Sequence, residues 1–206
     1  MIIKVCGMRN AENIREVEAL GVDWMGFIFF EGSSRSVSSK PAYLPTSCKR
    51  VGVFVNSTAD EILKKCDEFG LNLVQLHGNE SADFCSYLRQ KLPTDIQVIK
   101  MLSISDGTAF AATEAYMPYV DYFLFESPCK EFGGSGKQFD WALLNHYRGE
   151  KPFILTGGIG PDDASRLMEL QHPRFAGIDL NSRFEITPAM KSIELLKQFI
   201  NNIRTS

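Results

Sequence analysis

The sequence predicts an α/β protein in which eight parallel strands form a (β/α)8 TIM barrel, and three observations support this fold. Continuously apolar segments of four to seven residues recur eight times, which is typical of strands covered on both faces. Their starts lie about 25 residues apart on average, enough for one strand, one helix and two short loops. No linker divides the 206 residues. We expect a single domain over residues 1–206, with an open doubly wound sheet as the alternative.

The predicted strands follow one another at regular spacing, with one weak connection. Between residues 30 and 51 we find no periodic helix, so the second helix of the barrel is expected to be shortened or missing and replaced by a loop or a single turn. The eight segments are 2–6, 24–30, 51–55, 73–76, 96–99, 122–125, 152–155 and 175–180.

Capping residues mark several of the predicted helices. Asn10 can cap the first helix, and either Ser57 or Thr58 can cap the helix after the third strand. Pro161 suits the first turn of a helix after the seventh strand. An apolar stripe predicts a final helix from about residue 188 to residue 203.

The composition is that of a soluble protein and excludes several classes of function. The 22 Lys and Arg residues against 25 Asp and Glu residues give a net charge of −3 without a basic cluster, which argues against nucleic-acid binding. No apolar run approaches the ~20 residues of a membrane helix, and the first seven residues lack the basic start and long apolar stretch of a signal peptide, so we expect a cytoplasmic protein. Five cysteines without a C-x-x-C pair argue against a zinc site and a disulfide framework.

Polar residues follow several predicted strands, where the active sites of barrels lie. Cys6, after the first strand, can act as a base or nucleophile, or can be a buried structural cysteine. Glu126, after the sixth strand, can donate a proton if apolar surroundings raise its pKa, or can form a surface salt bridge. His77, after the fourth strand, can orient a substrate or bond to backbone, and Arg35 can bind a carboxylate or be solvated.

Two glycine-rich segments are candidate anion sites. Gly157 and Gly158 connect a strand to a helix, and with Asn181 and Ser182 they predict a phosphate-binding cup, a tight turn without ligand being the alternative. Residues 132–137 superficially match a P-loop. Glu and Gln stand at 131 and 138, where the motif needs Gly and Ser or Thr, so a flexible lid is the better interpretation.

Nine short sequence blocks occur in one order along the chain and span essentially all of it. Together they resemble the phosphoribosylanthranilate isomerase family of tryptophan biosynthesis. The blocks are KVCGM at 4–8, GFIF at 26–29, SR at 34–35, VGVFVN at 51–56, VQLHG at 74–78, GGSGK at 133–137, FDW at 139–141, LTGG at 155–158 and DLNS at 179–182.

The resemblance implies a cofactor-free, metal-free isomerase that performs an Amadori rearrangement on a phosphorylated small molecule, as a monomer or homodimer. Its substrate would be N-(5-phosphoribosyl)anthranilate and its product 1-(2-carboxyphenylamino)-1-deoxyribulose 5-phosphate. One acid and one base suffice for this reaction. The implied roles are general base for Cys6, general acid for Glu126, substrate binding for Arg35, His77 and Asp179, and phosphate binding for Gly157, Gly158, Asn181 and Ser182.

The chain departs from the family pattern at two sites. Glu126 stands where the family has Asp, and its extra methylene can displace the carboxyl group by over ~1 Å. Asn181, Ser182 and Arg183 stand where Ser-Ser-Gly is common. The first departure leaves open a catalytically impaired barrel that binds phosphorylated metabolites. A related phosphate-binding barrel of the histidine or tryptophan pathway is a further alternative, against which the blocks around Cys6 and Arg35 argue.

Overall fold

The computed structural model describes residues 1–126 and 140–205 and contains a closed barrel of eight parallel strands. Each strand pairs with the next along the chain, and the last pairs with the first. The predicted (β/α)8 fold is therefore confirmed, and each of the eight predicted segments overlaps an observed strand. The strands are β1 (Ile2–Val5), β2 (Trp24–Ile28), β3 (Lys49–Phe54), β4 (Leu73–Leu76), β5 (Gln97–Ser103), β6 (Tyr122–Glu126), β7 (Phe153–Leu155) and β8 (Phe175–Leu180).

Two of the helices begin at side-chain caps that the sequence indicated. Asn10 accepts a hydrogen bond from the Asn13 N–H group, and Thr58 forms a capping box with Glu61. Pro161 opens a 3-10 turn directly before the fifth helix. Within the described ranges, no helix has the length and apolar character needed to cross a membrane. The helices are α1 (Ala11–Ala19), α2 (Ala59–Phe69), α3 (Ala82–Lys91), α4 (Thr113–Tyr116), α5 (Ala164–Met168) and α6 (Ile193–Thr205).

The prediction that the final helix begins near residue 188 is wrong. Residues 185–191 instead form a short hairpin of β9 (Glu185–Thr187) and β10 (Met190–Lys191), with Ala189 at a φ of 66°. The backbone of Lys191 exchanges two hydrogen bonds with the side chain of Asn13, at 2.8 and 3.0 Å. These contacts draw the segment toward α1 and outweigh its helical pattern, so α6 starts only after Ser192.

The connection between β2 and β3 contains turns and no helix, as the sequence predicted. Glu18 of α1 holds this connection in place. Its carboxylate accepts hydrogen bonds from the N–H groups of Thr46 and Ser47, both at 2.6 Å, and from the Tyr43 hydroxyl. One carboxylate therefore fixes the loop that stands in place of the second helix.

The barrel interior changes from apolar to polar along the strands. Its N-terminal half is filled by a cluster of buried apolar side chains contributed by six strands. Because alternate residues of a strand share a face, the next inward positions lie two residues further on, and several of them are polar. Gln75, Glu126 and Thr156 occupy such positions, two residues beyond Leu73, Leu124 and Ile154 of the apolar cluster.

Candidate active site

Cys6, Arg35 and Asn181 converge at the C-terminal end of the barrel. Cys6 follows β1, is only 4% exposed, and its N–H group donates to the Leu180 carbonyl at 2.9 Å. The next residue, Gly7, has a φ of +76°, and a Cβ atom there would lie 2.8 Å from Arg35 Cδ and 3.0 Å from Asn181 Oδ1. Gly7 thus allows three elements to approach one another closely.

A buried ion pair lies directly beneath the Cys6 thiol. Lys4 and Asp179 are paired across β1 and β8, and Lys4 Nζ lies 2.7 Å from Asp179 Oδ2, with side-chain exposures of 0% and 5%. The positive charge of Lys4 also acts electrostatically on the Cys6 thiol. Sequence analysis placed Asp179 in the site but missed Lys4. The available signal was a lysine inside an apolar strand together with an aspartate inside another, since buried charges are normally paired.

Burial and the neighbouring charges shift the pKa values of Cys6 and Lys4 in opposite directions. Burial raises the pKa of the Cys6 thiol above its usual range, although the positive charge of Lys4 partly counteracts it. Burial also works against the charged form of Lys4, but Asp179 and Cys6 outweigh it and raise the pKa of that ammonium group. The ammonium group is therefore charged, and the thiol carries its proton when no substrate is bound.

A second polar chain joins β4 to β6. His77 Nε2 lies 3.4 Å from Glu126 Oε2, and Gln75 Nε2 lies 2.9 Å from His77 Nδ1. Within residues 1–126 and 140–205, the contacts of the His77 side chain are to side chains and not to backbone. Glu126 is one-fifth exposed and faces an imidazole, so its surroundings are more polar than the sequence suggested. Gln75 was missed because it lies within an apolar strand.

The loop that carries His77 is held by another buried ion pair. Lys100 Nζ lies 2.8 Å from Glu80 Oε2 and donates to the Gly78 carbonyl at 2.7 Å, with both side chains 2% exposed. Glu80 in turn accepts from the N–H groups of Gly78 and Asn56. These contacts join Lys100 of β5 to the loops after β3 and β4, so we assign this cluster to structural support.

Arg35 is bound by an acidic residue of the hairpin. Its Nη2 atom lies 2.6 Å from Glu185 Oε2, and its Nε atom lies 2.9 and 3.0 Å from the two carboxylate oxygens. The side chain is only 12% exposed, so the alternative of a solvated arginine is wrong. Glu185 also accepts from Lys191 Nζ at 2.7 Å. Sequence analysis missed both residues, because Lys191 fell within the predicted helix and Glu185 lay just before it.

The two glycines of the predicted phosphate cup have backbone conformations that favour glycine. Gly157 and Gly158 have φ values of 91° and 73°, where L side chains are strained. The loops after β7 and β8 are adjacent, since a Cβ atom on Gly160 would lie 3.8 Å from Arg183 Cβ. The Gly160 N–H group already donates to Asp163. A phosphate at this helix start would therefore depend on the glycines at 157 and 158.

Part of the predicted site lies outside the described residues. The expected lid at 132–137 and the cysteine at 129 belong to this part of the chain. The site as described is therefore formed by the ends of β1, β4, β6, β7 and β8, the loop after β2, and the hairpin of β9 and β10.

Comparison with known proteins identifies the family. The sequence model described as PRAI, N-(5'-phosphoribosyl)anthranilate (PRA) isomerase, matches residues 3–202. The chain belongs to this family. A curated relative from Phocaeicola vulgatus, named N-(5'-phosphoribosyl)anthranilate isomerase, is 48% identical over 204 residues, which cover 99% of this chain and 98% of the relative. The family resemblance predicted from sequence blocks is confirmed, and the alternative of a related phosphate-binding barrel of the histidine or tryptophan pathway is not supported.

Solved structures of the family share the whole fold. The crystal structure of phosphoribosyl anthranilate isomerase from Thermotoga maritima is 31% identical, has a TM-score of 0.84, and each chain is covered completely. A second structure, also covered completely, is 28% identical with a TM-score of 0.80. It is described as the isomerase in complex with reduced 1-(o-carboxyphenylamino)-1-deoxyribulose 5-phosphate.

Proposed function

We propose that this protein converts N-(5-phosphoribosyl)anthranilate to 1-(2-carboxyphenylamino)-1-deoxyribulose 5-phosphate, a step of L-tryptophan biosynthesis. The observation that carries the proposal is the placement of a buried thiol, Cys6, and a carboxyl group, Glu126, at the same end of the barrel in a member of the isomerase family. These two groups are the base and the acid that an Amadori rearrangement requires.

Glu126 is the proposed general acid. Its proton moves to the furanose ring oxygen, the bond between that oxygen and C1 breaks, and the nitrogen lone pair forms an iminium ion. Cys6, as thiolate, then removes the proton from C2, and the electrons of that bond form an enolamine. Proton transfer from the C2 hydroxyl group to C1, by way of acid and base groups of the site, gives the ketone. No electrons leave the substrate, so neither oxidant nor reductant is needed.

Lys4 assists the base in this proposal. The buried thiol must lose its proton before it can act, and burial disfavours the resulting negative charge. The positive charge of the Lys4 ammonium group stabilises the thiolate electrostatically. Lys191 lies near enough to act in the same direction, whereas Asp179 opposes both.

His77 assists the acid. With the Gln75 amide donating to Nδ1, the ring carries its proton on Nε2, facing Glu126. If the Gln75 amide rotates, its oxygen accepts from a protonated Nδ1 instead. Gln75 Oε1 is buried and has no hydrogen-bond partner among residues 1–126 and 140–205. In either arrangement Gln75 fixes the orientation of the His77 ring toward Glu126.

The remaining polar groups are proposed to bind the substrate. Asp179 Oδ1 is buried and lacks a hydrogen-bond donor within the described chain, so it suits a substrate hydroxyl group. Arg35 suits the anthranilate carboxylate. The phosphate-binding residues are Gly157, Gly158, Asn181 and Ser182.

A fluorescence assay with phosphoribosylanthranilate tests this function. We expect the purified protein to consume the substrate catalytically. A second candidate function, a barrel that binds phosphorylated metabolites without converting them, is motivated by Glu126 in place of the family's Asp. Tight binding of the product without turnover of the substrate would favour this second function and contradict the first.

A further inference from the structure

One edge of the Arg35 guanidinium group is occupied by the protein itself. Glu185 receives the Nε–H group and one N–H of Nη2, at distances of 2.6 to 3.0 Å. Arginine has five N–H groups in one plane, so this contact leaves the edge formed by Nη1 and the second N–H of Nη2. Within residues 1–126 and 140–205, Nη1 has no hydrogen-bond partner. The guanidinium group therefore presents a second edge with the geometry that binds a carboxylate.

Glu185 is held firmly by its own hairpin. Its Oε1 atom accepts from Lys191 Nζ at 2.7 Å and from the Ala189 N–H group at 3.0 Å. Ala189 adopts a φ of 66°, a conformation that residues other than glycine rarely take. Because two further donors fix the carboxylate, it cannot follow Arg35 freely. Glu185 thus acts as a fixed support for the guanidinium group.

The same carboxylate is connected to the predicted phosphate cup. Lys191 Nζ donates to Asn181 Oδ1 at 2.7 Å as well as to Glu185. Asn181 is one of the residues at the proposed phosphate site, whereas Arg35 lies at the proposed carboxylate site. Glu185 and Lys191 therefore link the groups proposed to hold the two ends of the substrate.

The charges of this cluster favour an additional anion. Arg35 and Lys191 contribute two positive charges and Glu185 one negative charge, which leaves one uncompensated positive charge in a largely buried cluster. Burial would raise the pKa of Glu185, but its hydrogen bonds from Arg35 and Lys191 outweigh burial and lower it. The carboxylate is therefore ionised at neutral pH, and its negative charge is included in the charge of the cluster.

We propose that Glu185 is a positioning residue that orients Arg35, so that the free edge of the guanidinium group receives the carboxylate on the aromatic ring of the substrate. This inference rests on the proposed function. It differs from a competing arrangement in which Glu185 occupies the place of the substrate carboxylate. Removal of Glu185 weakens binding of the carboxylate in the first arrangement and strengthens it in the second.

A pair of ligands isolates the effect of the substrate carboxylate. One is reduced 1-(o-carboxyphenylamino)-1-deoxyribulose 5-phosphate, and the other is the same compound without the carboxyl group. Dissociation constants are measured for the parent, Glu185→Gln, and the control Glu194→Gln, which changes an exposed glutamate of α6. We expect the parent and the control to prefer the carboxylated ligand at least tenfold. Glu185→Gln should lose most of that preference while binding the carboxyl-free ligand within about twofold of the parent.

Other outcomes overturn the proposal in distinguishable ways. Equal weakening of both ligands in Glu185→Gln would show a structural role only, and tighter binding of the carboxylated ligand would show competition. If the parent binds neither ligand, both the proposed function and this inference are contradicted.

If Glu185→Gln does not fold, the same substitution is made in a protein that also carries Arg35→Met. Both partners of the ion pair are then replaced, so neither is left buried without its partner. Glu185 acts through Arg35, so adding Glu185→Gln to Arg35→Met should change the preference no further. An additional loss in the double variant would contradict the proposal.

Discussion

Replacement of Lys4 by Met tests how the barrel prepares its buried thiol. Lys4 is the charged group that most favours the thiolate of Cys6, and it also neutralises Asp179. Its removal should raise the pKa of the Cys6 thiol further. Because a general base works in its deprotonated form, the pH at which kcat/KM rises should move to higher values in Lys4→Met.

The magnitude follows from the burial of the ion pair. A unit charge at about 4 Å and an effective dielectric constant of about 20 contributes about 4 kcal/mol, which is an upper limit here. Asp179 would take up a proton in the variant and relieve much of the lost charge. We therefore expect the thiolate fraction at neutral pH to fall about tenfold, which corresponds to about 1.4 kcal/mol. The broken buried pair should also cost about 3–5 kcal/mol of the free energy of unfolding.

The assay is the rate of Cys6 alkylation by iodoacetamide as a function of pH, with the rate of a Cys6→Ala protein subtracted to remove the other cysteines. Lys100→Met is a matched control, because Lys100 forms the other buried ion pair with equally low exposure. Both variants should be destabilised, but only Lys4→Met should show slower alkylation at neutral pH. An alkylation profile identical to that of the parent in Lys4→Met would refute the assignment of Lys4 to the base.

Two further predictions concern the phosphate cup and the loop that stands in place of the second helix. Gly158→Asp places a carboxylate against the proposed phosphate, whereas Gly158→Asn has nearly the same shape and tolerates the same backbone conformation. We expect the Asp variant to bind product at least tenfold more weakly than the Asn variant, and equal dissociation constants would argue against this phosphate site. Glu18→Gln should lower the free energy of unfolding at neutral pH by about 1 kcal/mol, after allowance for solvent contact. Burial acts against the Glu18 carboxylate, but hydrogen bonds from Tyr43, Ser47 and Thr46 lower its pKa to about 2. Its contribution is therefore complete above its ordinary pKa and is lost as the pH falls toward 2, so thermal unfolding of parent and variant should converge in acid.

The features predicted correctly from the sequence depend on local patterns. A strand covered on both faces needs a short apolar run wherever it stands in the chain, so the run at 73–76 could be assigned without knowing its partners. Asn10 and Thr58 cap helices through hydrogen bonds to residues three positions away. The absence of a helix between β2 and β3 was visible for the same reason, since no periodic stripe occurs there.

The features that were missed depend on partners far away in the sequence. Lys4 and Asp179 are 175 residues apart, and Arg35 and Glu185 are 150 residues apart. Neither residue of a pair reveals the other by spacing, because the pairs form only when the barrel closes. The start of the final helix was predicted too early, because the contact of Lys191 with Asn13 that holds this segment in the hairpin is non-local.

Turnover of phosphoribosylanthranilate by four purified proteins tests the central claim most directly. The proteins are the parent, Cys6→Ala, Glu126→Gln and Glu126→Asp, each checked for folding by circular dichroism. We expect the parent to be active, Cys6→Ala and Glu126→Gln to be slower by at least about 10²-fold, and Glu126→Asp to retain activity because it keeps a carboxyl group. A Cys6→Ala or Glu126→Gln protein as fast as the parent, or a parent that becomes active only with Asp at position 126, would contradict the account.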